Sequence, residues 1–143
     1  MKGAHIMNIA DTRKNYKSTN TLVYSCQYHV IFTTKYRRKV LNEKIQKRLK
    51  QLILEKQKEY EYEVIEVEIM EDHVHLLLDI NPQRGIYKII GQIKGYTSNS
   101  LRKEYIELRR RIPTLWTRSK FISSVGSVSL EVVKKYIEDQ KNK

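Results

Sequence analysis

Two histidines separated by one residue are the chemically distinctive feature of this 143-residue sequence. They lie in the segment Asp72-His73-Val74-His75-Leu76-Leu77-Leu78, which has the composition of a β-strand. Because successive side chains of a strand point to opposite faces, His73 and His75 share one face, about 6.7 Å apart along the strand. Two such imidazoles can bind one ion, and neutral imidazole binds Zn, Mn, Fe, Ni or Cu. The alternative is a pair of partly buried histidines satisfied by hydrogen bonds.

A second group of candidate residues lies in a helix predicted from Leu130 to about Gln140. Tyr136 and Gln140 are four residues apart, so they lie on the same face of that helix. A helix laid over the sheet face that carries the histidines would bring a phenol and an amide oxygen beside the two imidazoles. A His-His-Gln set of nitrogen and oxygen ligands suits Mg or Mn. Tyr136 is also one of ten tyrosines, and considered alone it would be interpreted as a packing residue.

Three acidic residues precede the histidines. Asp72 is predicted to have a role in a turn, with a contact to an imidazole as the alternative. Glu66 and Glu68 are predicted to point to the same sheet face as the histidines, where they either assist a metal or are solvated.

The elements that must position these residues follow from hydrophobic periodicity. Strands are predicted over 21–34, 63–70, 73–80 and 120–125, and helices over 42–58, 86–108 and 130–140. The order βαββαβα predicts an α+β fold: a ferredoxin-like βαββαβ antiparallel sheet with two helices on one face, plus a C-terminal helix that would carry Tyr136 and Gln140. The apolar residues Val74, Leu76 and Leu78 then face the helices, which leaves the histidines on the open face.

The same patterns make three finer predictions. Ile65, Val67 and Ile69 share one face of the second strand, and the buried side of the second helix extends from Ile89 to Tyr105. Gly91 and Gly95 are interpreted as a close approach of that helix to the sheet.

The charge distribution favours a nucleic-acid partner. The net charge is +12, yet residues 59–79 contain eight acids and no Lys or Arg, so the rest of the chain has 28 bases, 8 acids and a net charge of +20. Basic residues scattered along a chain fit a polyanion better than a membrane surface, where they usually concentrate on one helix or tail. The predicted phosphate contacts are Lys35, Arg37, Arg38, Arg118 and Lys120, which flank the strands expected to border a nucleic-acid-binding groove.

Length and composition predict one domain over residues 21–143, preceded by a flexible arm over residues 1–20. With neither a long apolar span nor a secretory signal in the sequence, a cytoplasmic protein without membrane contact is expected. Cys26 is the single cysteine, which excludes an internal disulfide and a zinc cage with several thiolates.

Taken together, these residues resemble the single-tyrosine transposases of the insertion-sequence 200/605 family, the TnpA type, whose HUH motif is His-hydrophobic-His. The resemblance rests on the His73-Val74-His75 strand and on a later helical tyrosine with glutamine four residues on. It spans about residues 21–140 and includes Tyr28-His29, Lys35-Tyr36-Arg37-Arg38-Lys39-Val40-Leu41, Lys94-Gly95, Leu115-Trp116 and Tyr136-Ile137-Glu138-Asp139-Gln140.

The resemblance implies a DNA transposase that cleaves and rejoins single-stranded DNA at hairpin-bearing ends of an insertion element. Tyr136 would attack the phosphodiester, form a 5′-phosphotyrosine link and release a 3′-hydroxyl. His73, His75 and Gln140 would hold Mg²⁺ or Mn²⁺. No nucleotide cofactor is expected, because transesterification conserves the bond energy and the sequence has no Gly-x-x-x-x-Gly-Lys-Ser/Thr loop. A homodimer is also implied, with possible exchange of the tyrosine helices between subunits, and the spacing leaves cis and trans sites open.

Other function classes stay open at this point. A non-catalytic regulator on the same scaffold would bind hairpins and cut nothing. A replication initiator or relaxase is disfavoured by the small size of the chain and by the position of the tyrosine after the histidines. A simple metal-dependent nuclease would leave no protein attached to its product, so covalent capture separates these classes.

Overall fold

The computed structural model describes residues 16–126 together with Lys135 and Glu138. The chain divides into two units, Cys26–Val125 and a second made of Met1–Ser25 and Gly126–Lys143. The described part of the second unit contains the short antiparallel pair β1 (Lys17–Ser18) and β2 (Val23–Tyr24). The predicted C-terminal helix with Tyr136 and Gln140 lies outside the described residues, as do residues 1–15 of the predicted arm.

The larger unit is built on a four-stranded antiparallel sheet in the order β4-β5-β3-β6. Its strands are β3 (Gln27–Thr33), β4 (Tyr62–Ile69), β5 (His73–Ile80) and β6 (Phe121–Val125). A 3-10 turn covers Lys35–Arg37, and the helices are α1 (Glu43–Glu55), α2 (Gln57–Tyr60), α3 (Ile86–Glu104) and α4 (Ile106–Arg111). This order confirms the predicted ferredoxin-like α+β fold, in which the histidine strand β5 is central.

Helix α1 begins where the sequence predicts. The side chain of Asn42 caps it by accepting a hydrogen bond from the Ile45 amide at 2.9 Å. Its apolar stripe is buried: Ile45, Leu49, Leu52 and Ile53. The helix ends at Glu55 rather than Lys58, and α2 follows after Lys56, whose φ/ψ of −100°/5° breaks the regular helix.

Helix α3 is shorter than predicted. Its buried side includes Ile89, Ile93 and Leu101 as expected, but it ends at Glu104 because Tyr105 takes an extended backbone conformation, with φ −125° and ψ 95°. The chain continues as the separate helix α4. The Arg102 guanidinium donates to the Ile112 carbonyl at 2.9 Å, which fixes the turned segment against α3.

The prediction that Gly91 and Gly95 allow a close approach to the sheet is wrong. Both glycines are exposed, and a Cβ built on either would meet no atom within 4 Å. They lie on the solvent side of α3, opposite the buried stripe.

Two strands depart from simple alternation. The predicted strand 21–34 is interrupted before Gln27, where the Cys26 amide donates to the side-chain carboxylate of Asp79 at 3.0 Å instead of to a backbone carbonyl of a neighbouring strand. In β4 a bulge between Val64 and Glu66 leaves Ile65 without a partner and 42% exposed. The predicted shared face of Ile65, Val67 and Ile69 is therefore wrong for Ile65, because the bulge reverses the alternation at that point.

The core lies between one face of the sheet and helices α1 and α3. Val30 and Phe32 of β3 and Val74, Leu76 and Leu78 of β5 are all buried there. No helix of the described residues is long and apolar enough to cross a membrane. With the helices on one face, the other face of the sheet carries the remaining side chains of β3 and β5.

Candidate functional site

His73 and His75 lie on the open face of the sheet, as predicted. Their side chains are 31% and 33% exposed, whereas Val74 between them is fully buried. In the antiparallel register His73 is opposite Thr33 of β3, and His75 is opposite Ile31 of β3 and Glu68 of β4. The strand alternation read from the sequence therefore places both imidazoles on the face opposite helices α1 and α3.

Asp72 orients His73. Its Oδ1 accepts a hydrogen bond from His73 Nδ1 at 2.9 Å, and its Oδ2 accepts one from the Arg37 guanidinium at 3.0 Å. The hydrogen bond from His73, followed by that from Arg37, holds the pKa of the Asp72 carboxyl below its ordinary value. With Nδ1 engaged, Nε2 is the nitrogen of His73 that is left to bind an ion. Asp72 thus makes the imidazole contact that the sequence offered as the alternative to a turn role.

His29 is a neighbour of the pair that the choice of site residues from the sequence missed. It lies on β3 opposite Leu77, one step along the same face from His75. Its Nδ1 is 3.1 Å from His75 Nε2, and the two ring centroids are 5.3 Å apart. The alternation of side chains along β3 could have identified His29 from the sequence. Val30 and Phe32 are core residues, so His29 must face the opposite side of the sheet.

Glu66 and Glu68 reach the open face as predicted. Glu66 is opposite Leu77 and Glu68 is opposite His75 across β4 and β5. Glu68 Oε1 lies 3.9 Å from His75 Nδ1, but the Glu68 side chain is 69% exposed. At this distance the carboxylate makes no hydrogen bond to the imidazole.

The basic segment 35–38 is held next to Asp72, the residue that precedes His73. Thr34, fully buried, donates its amide to the Asp72 carbonyl at 3.0 Å and its hydroxyl to the Arg38 carbonyl at 2.7 Å. Tyr36 and Arg37 have left-handed backbones, with φ 59° and 54°. Such conformations cost non-glycine residues free energy and concentrate at functional sites. Tyr36 is 65% exposed, with the Lys35 ammonium 5.1 Å from its ring centroid.

A second basic segment, residues 117–120, meets the same end of β3. The Thr117 amide donates to the Thr33 carbonyl at 3.0 Å, and Lys94 of α3 donates its ammonium to the Thr117 carbonyl at 2.7 Å. Burial, followed by repulsion from Lys120, lowers the pKa of Lys94 to about 8. Arg118 is exposed, and the Lys120 ammonium lies 4.4 Å from the ring centroid of Tyr87.

The basic residues predicted to contact phosphates thus lie in two segments, and both segments are hydrogen-bonded near the end of β3. Lys35 donates its amide to the Leu115 carbonyl at 2.9 Å, which ties the first basic segment to the chain just before the second. An exposed aromatic ring, Phe121, stands on the open face at the start of β6, opposite Ile31, and is 56% exposed. The sequence identified β6 but gave Phe121 no role.

The side chains present fit part of a divalent-metal site. A carboxylate on one imidazole nitrogen, with the other nitrogen left to the ion, is the usual outer arrangement of histidine ligands, and Asp72 and His73 have it. Over residues 16–126, Lys135 and Glu138, however, no three His, Cys, Asp or Glu side chains are grouped to hold an ion. Tyr136 and Gln140 lie outside this range, so their placement beside the histidines stays a prediction.

Comparison with known proteins gives matches along most of the chain. The family description "Transposase IS200 like" matches residues 22–140. The ISDra2 transposase TnpA of Deinococcus radiodurans is 34% identical over 123 residues, which cover 85% of this chain and 88% of that protein. The transposase for insertion sequence element IS200 of Salmonella typhimurium is 30% identical over 125 residues, covering 82% of this chain and 81% of that protein.

Solved structures match the fold. A crystal structure described as a candidate transposase from Deinococcus radiodurans R1 superposes with a TM-score of 0.71 at 29% identity, over 87% of this chain and 97% of that one. A REP-associated tyrosine transposase bound to a REP hairpin superposes with a TM-score of 0.58 at 10% identity, over 86% of this chain and 67% of that one. The second likeness concerns the fold alone.

Proposed function

The chain belongs to the IS200-like transposase family, and from that membership we propose that it cleaves and rejoins single-stranded DNA at the ends of an insertion element through a covalent link to Tyr136. The observation that carries the proposal is the open-face imidazole pair beside two basic segments. His73 is oriented by Asp72, which is itself paired with Arg37 of the first basic segment. This geometry supports a phosphodiester substrate at the histidines.

The proposed reaction is a transesterification. The Tyr136 hydroxyl loses its proton and attacks phosphorus, and its oxygen forms a new ester with the phosphate that stays on the 5′ oxygen of the downstream strand. The 3′ oxygen of the upstream strand leaves and takes up a proton. Attack of a liberated 3′-hydroxyl on the phosphotyrosine reverses these bond changes and rejoins the strand. One phosphodiester is exchanged for another at each step, so no nucleotide cofactor is required.

His73, His75 and Gln140 are the proposed ligands of Mg²⁺ or Mn²⁺. When bound, such an ion would neutralise a phosphate oxygen and make phosphorus more electrophilic. Asp72 fixes the ring of His73 through Nδ1 and keeps Nε2 as the free nitrogen. A phenol with an ordinary pKa of about 10 is mostly protonated at neutral pH, so the site must help Tyr136 lose its proton as well as lower the negative charge that its oxygen meets at the phosphate.

Lys35, Arg37, Arg38, Arg118 and Lys120 are the proposed contacts to the DNA backbone. Their segments are joined to the end of β3 through Thr34 and Thr117, so they would position a single strand close to the histidines. Phosphate contacts of this kind position a nucleic acid without reading its sequence. Hairpin recognition and a homodimer, with the tyrosine helix in cis or in trans, are further parts of the proposal.

A covalent-capture experiment tests this function. Labelled single strands from the DNA flanking the coding region are incubated with the protein and Mn²⁺ or Mg²⁺, and the products are separated under denaturing conditions. We expect a protein–DNA adduct that disappears with EDTA and in Tyr136→Phe but persists in the control Tyr60→Phe, a tyrosine at the end of α2. Hairpin binding without cleavage would favour the regulator, and cleavage without an adduct would favour a simple nuclease.

A further inference from the structure

His29 lies outside the proposed ligand set, and a role for it at the metal rests on the proposed metal-dependent function. His29 lies on the central strand β3, and its imidazole is directed along the open face toward His75. No hydrogen bond to a backbone carbonyl or carboxylate is found for this ring among the described residues; its polar contact there is His75. A partly buried imidazole directed at a proposed metal ligand has no other described role in the fold.

The spacing of the two nitrogens is that of two ligands on one ion. Nitrogen donors about 2.1 Å from a metal are about 3.0 Å apart when they subtend a right angle and about 3.4 Å apart at the tetrahedral angle. The observed distance between His29 Nδ1 and His75 Nε2 is 3.1 Å. The diagonal position of His29 relative to His75 on adjacent antiparallel strands is what lets two imidazoles reach this distance.

We propose that His29 is a further ligand of the divalent-metal site and binds the same ion as His75 through Nδ1. The two rings are then a preformed half of the site, held by two paired strands, and His73 with its Asp72 partner supplies a further imidazole. Because the described side chains do not yet group in threes, at least one ring must turn when the ion binds.

A third imidazole changes which ion the site prefers. Nitrogen donors favour the transition metals over Mg²⁺, which prefers oxygen ligands and retains its water. A site with His29, His73 and His75 should therefore bind Mn²⁺ more tightly than Mg²⁺. Removal of His29 should reduce the difference between the affinities for Mn²⁺ and Mg²⁺, because it removes a nitrogen donor that stabilises bound Mn²⁺ more than bound Mg²⁺.

Direct metal binding tests the proposal without any catalytic readout. The free Mn²⁺ remaining in a titration of the full chain is measured by electron paramagnetic resonance for wild type, His29→Ala, His73→Ala and His75→Ala. We expect each variant to bind Mn²⁺ at least tenfold more weakly than wild type. His29→Asn, whose amide lies near the position of Nδ1, should retain more affinity than His29→Gln, whose amide lies near Nε2. Ser123→Ala, which alters the residue opposite His29 on β6, is the control for local disturbance.

The outcomes separate this inference from the proposed function. Weaker binding in His73→Ala and His75→Ala, with wild-type or tighter binding in His29→Ala, would overturn the role of His29 alone; tighter binding would mean that its hydrogen bond blocks His75 Nε2. Failure of the wild-type chain to bind Mn²⁺ would overturn both. Nitrogen couplings in the pulsed spectrum of bound Mn²⁺ that decrease in His29→Ala would support ligation by that ring.

Discussion

Asp72 and His73 are adjacent in the chain and are joined by a 2.9 Å hydrogen bond from Nδ1 to Oδ1, while the second carboxylate oxygen accepts from Arg37. One short side chain therefore contacts both the proposed metal ligand and the basic segment. The orientation of the His73 ring depends on this single carboxylate.

Replacing Asp72 should weaken metal binding without unfolding the protein. Asp72→Ala removes the acceptor for His73 Nδ1, and loss of such an outer partner typically lowers metal affinity 10- to 100-fold. Asp72→Asn keeps an acceptor but not the charge and should have an intermediate effect. Mn²⁺ titration by isothermal calorimetry is the measurement, with Glu71→Gln as the charge-matched neighbour. Equal affinities for wild type and Asp72→Ala would contradict the orienting role.

Replacing Tyr36 by glycine should preserve or raise the stability of the protein but weaken its binding to DNA. Its φ of 59° is unfavourable for a side chain but natural for glycine, so Tyr36→Gly should leave the free energy of unfolding unchanged or raise it by up to about 1 kcal/mol. The same change should weaken single-stranded DNA binding, because an exposed ring is lost from the basic segment. Glu61→Gly, also left-handed at φ 61° but at the end of α2, is the matched control and should leave DNA affinity unaltered. Tyr36→Gly with undiminished affinity in fluorescence anisotropy would remove this ring from the DNA-binding surface.

Thr97 should be important for stability. Its buried hydroxyl accepts the Trp116 indole N–H at 3.1 Å and donates to the Ile93 carbonyl at 2.8 Å. Thr97→Val leaves that indole N–H unpaired in the core, which should lower the free energy of unfolding by about 1–3 kcal/mol. Thr97→Ser keeps the hydroxyl and should cost less. Urea denaturation followed by the fluorescence of the single tryptophan measures both, and a Thr97→Val variant as stable as wild type would contradict the bond's importance.

Lys94 should make stability rise with pH in the alkaline range. Its pKa is about 8 in the folded protein and near its ordinary 10.5 when unfolded, so the charged form is penalised by folding. That penalty is present below about pH 8 and is relieved as the pH rises toward 10.5. Relative to Lys94→Met, wild type should gain about 1–2 kcal/mol between pH 8 and 10, less than the full shift implies because the group is partly solvated. If the urea midpoints of wild type and Lys94→Met change by the same amount with pH, this account is contradicted.

Subunit mixing can decide where Tyr136 acts. Tyr136→Phe and His75→Ala should each be inactive alone, because one lacks the nucleophile and the other a proposed ligand. If tyrosine and histidines of different subunits form each site, mixed heterodimers regain one intact site and should recover a measurable fraction of cleavage. Persistent inactivity, with heterodimers demonstrated by differently tagged subunits, would point to sites formed within one chain.

Much of the fold could be predicted because periodicity reports burial directly. The alternation around Val74 and Leu76 placed the histidines on the open face, and Asn42 marked the start of α1. The bulge at Ile65 could not be predicted, because it depends on pairing with β5 rather than on local composition. The exposure of Gly91 and Gly95 was missed for a related reason: a helix stripe alone does not say which side meets the sheet.

The strand that carries His73 and His75 could be predicted from the sequence. The residues that approach these histidines from other elements could be predicted less well. His73 and His75 are two residues apart in sequence, so their common face is a local property. The approach of His29 to His75 joins residues 46 positions apart and depends on the register between β3 and β5. The attachment of both basic segments to the end of β3 is likewise a property of the tertiary structure.

The order of the strands places acidic residues at one border of the open face and basic residues near the other. One border is β4, with Glu66 and Glu68 pointing outward, and the opposite border is β6, which follows Arg118 and Lys120 in the chain. A polyanion lying on the sheet is repelled at one margin and attracted at the other, so its lateral positions are not equivalent in energy. For a DNA strand bound as proposed, the acidic side chains of β4 would therefore disfavour the β4 border and favour the β3–β6 half of the face, with the imidazoles at the boundary between the two.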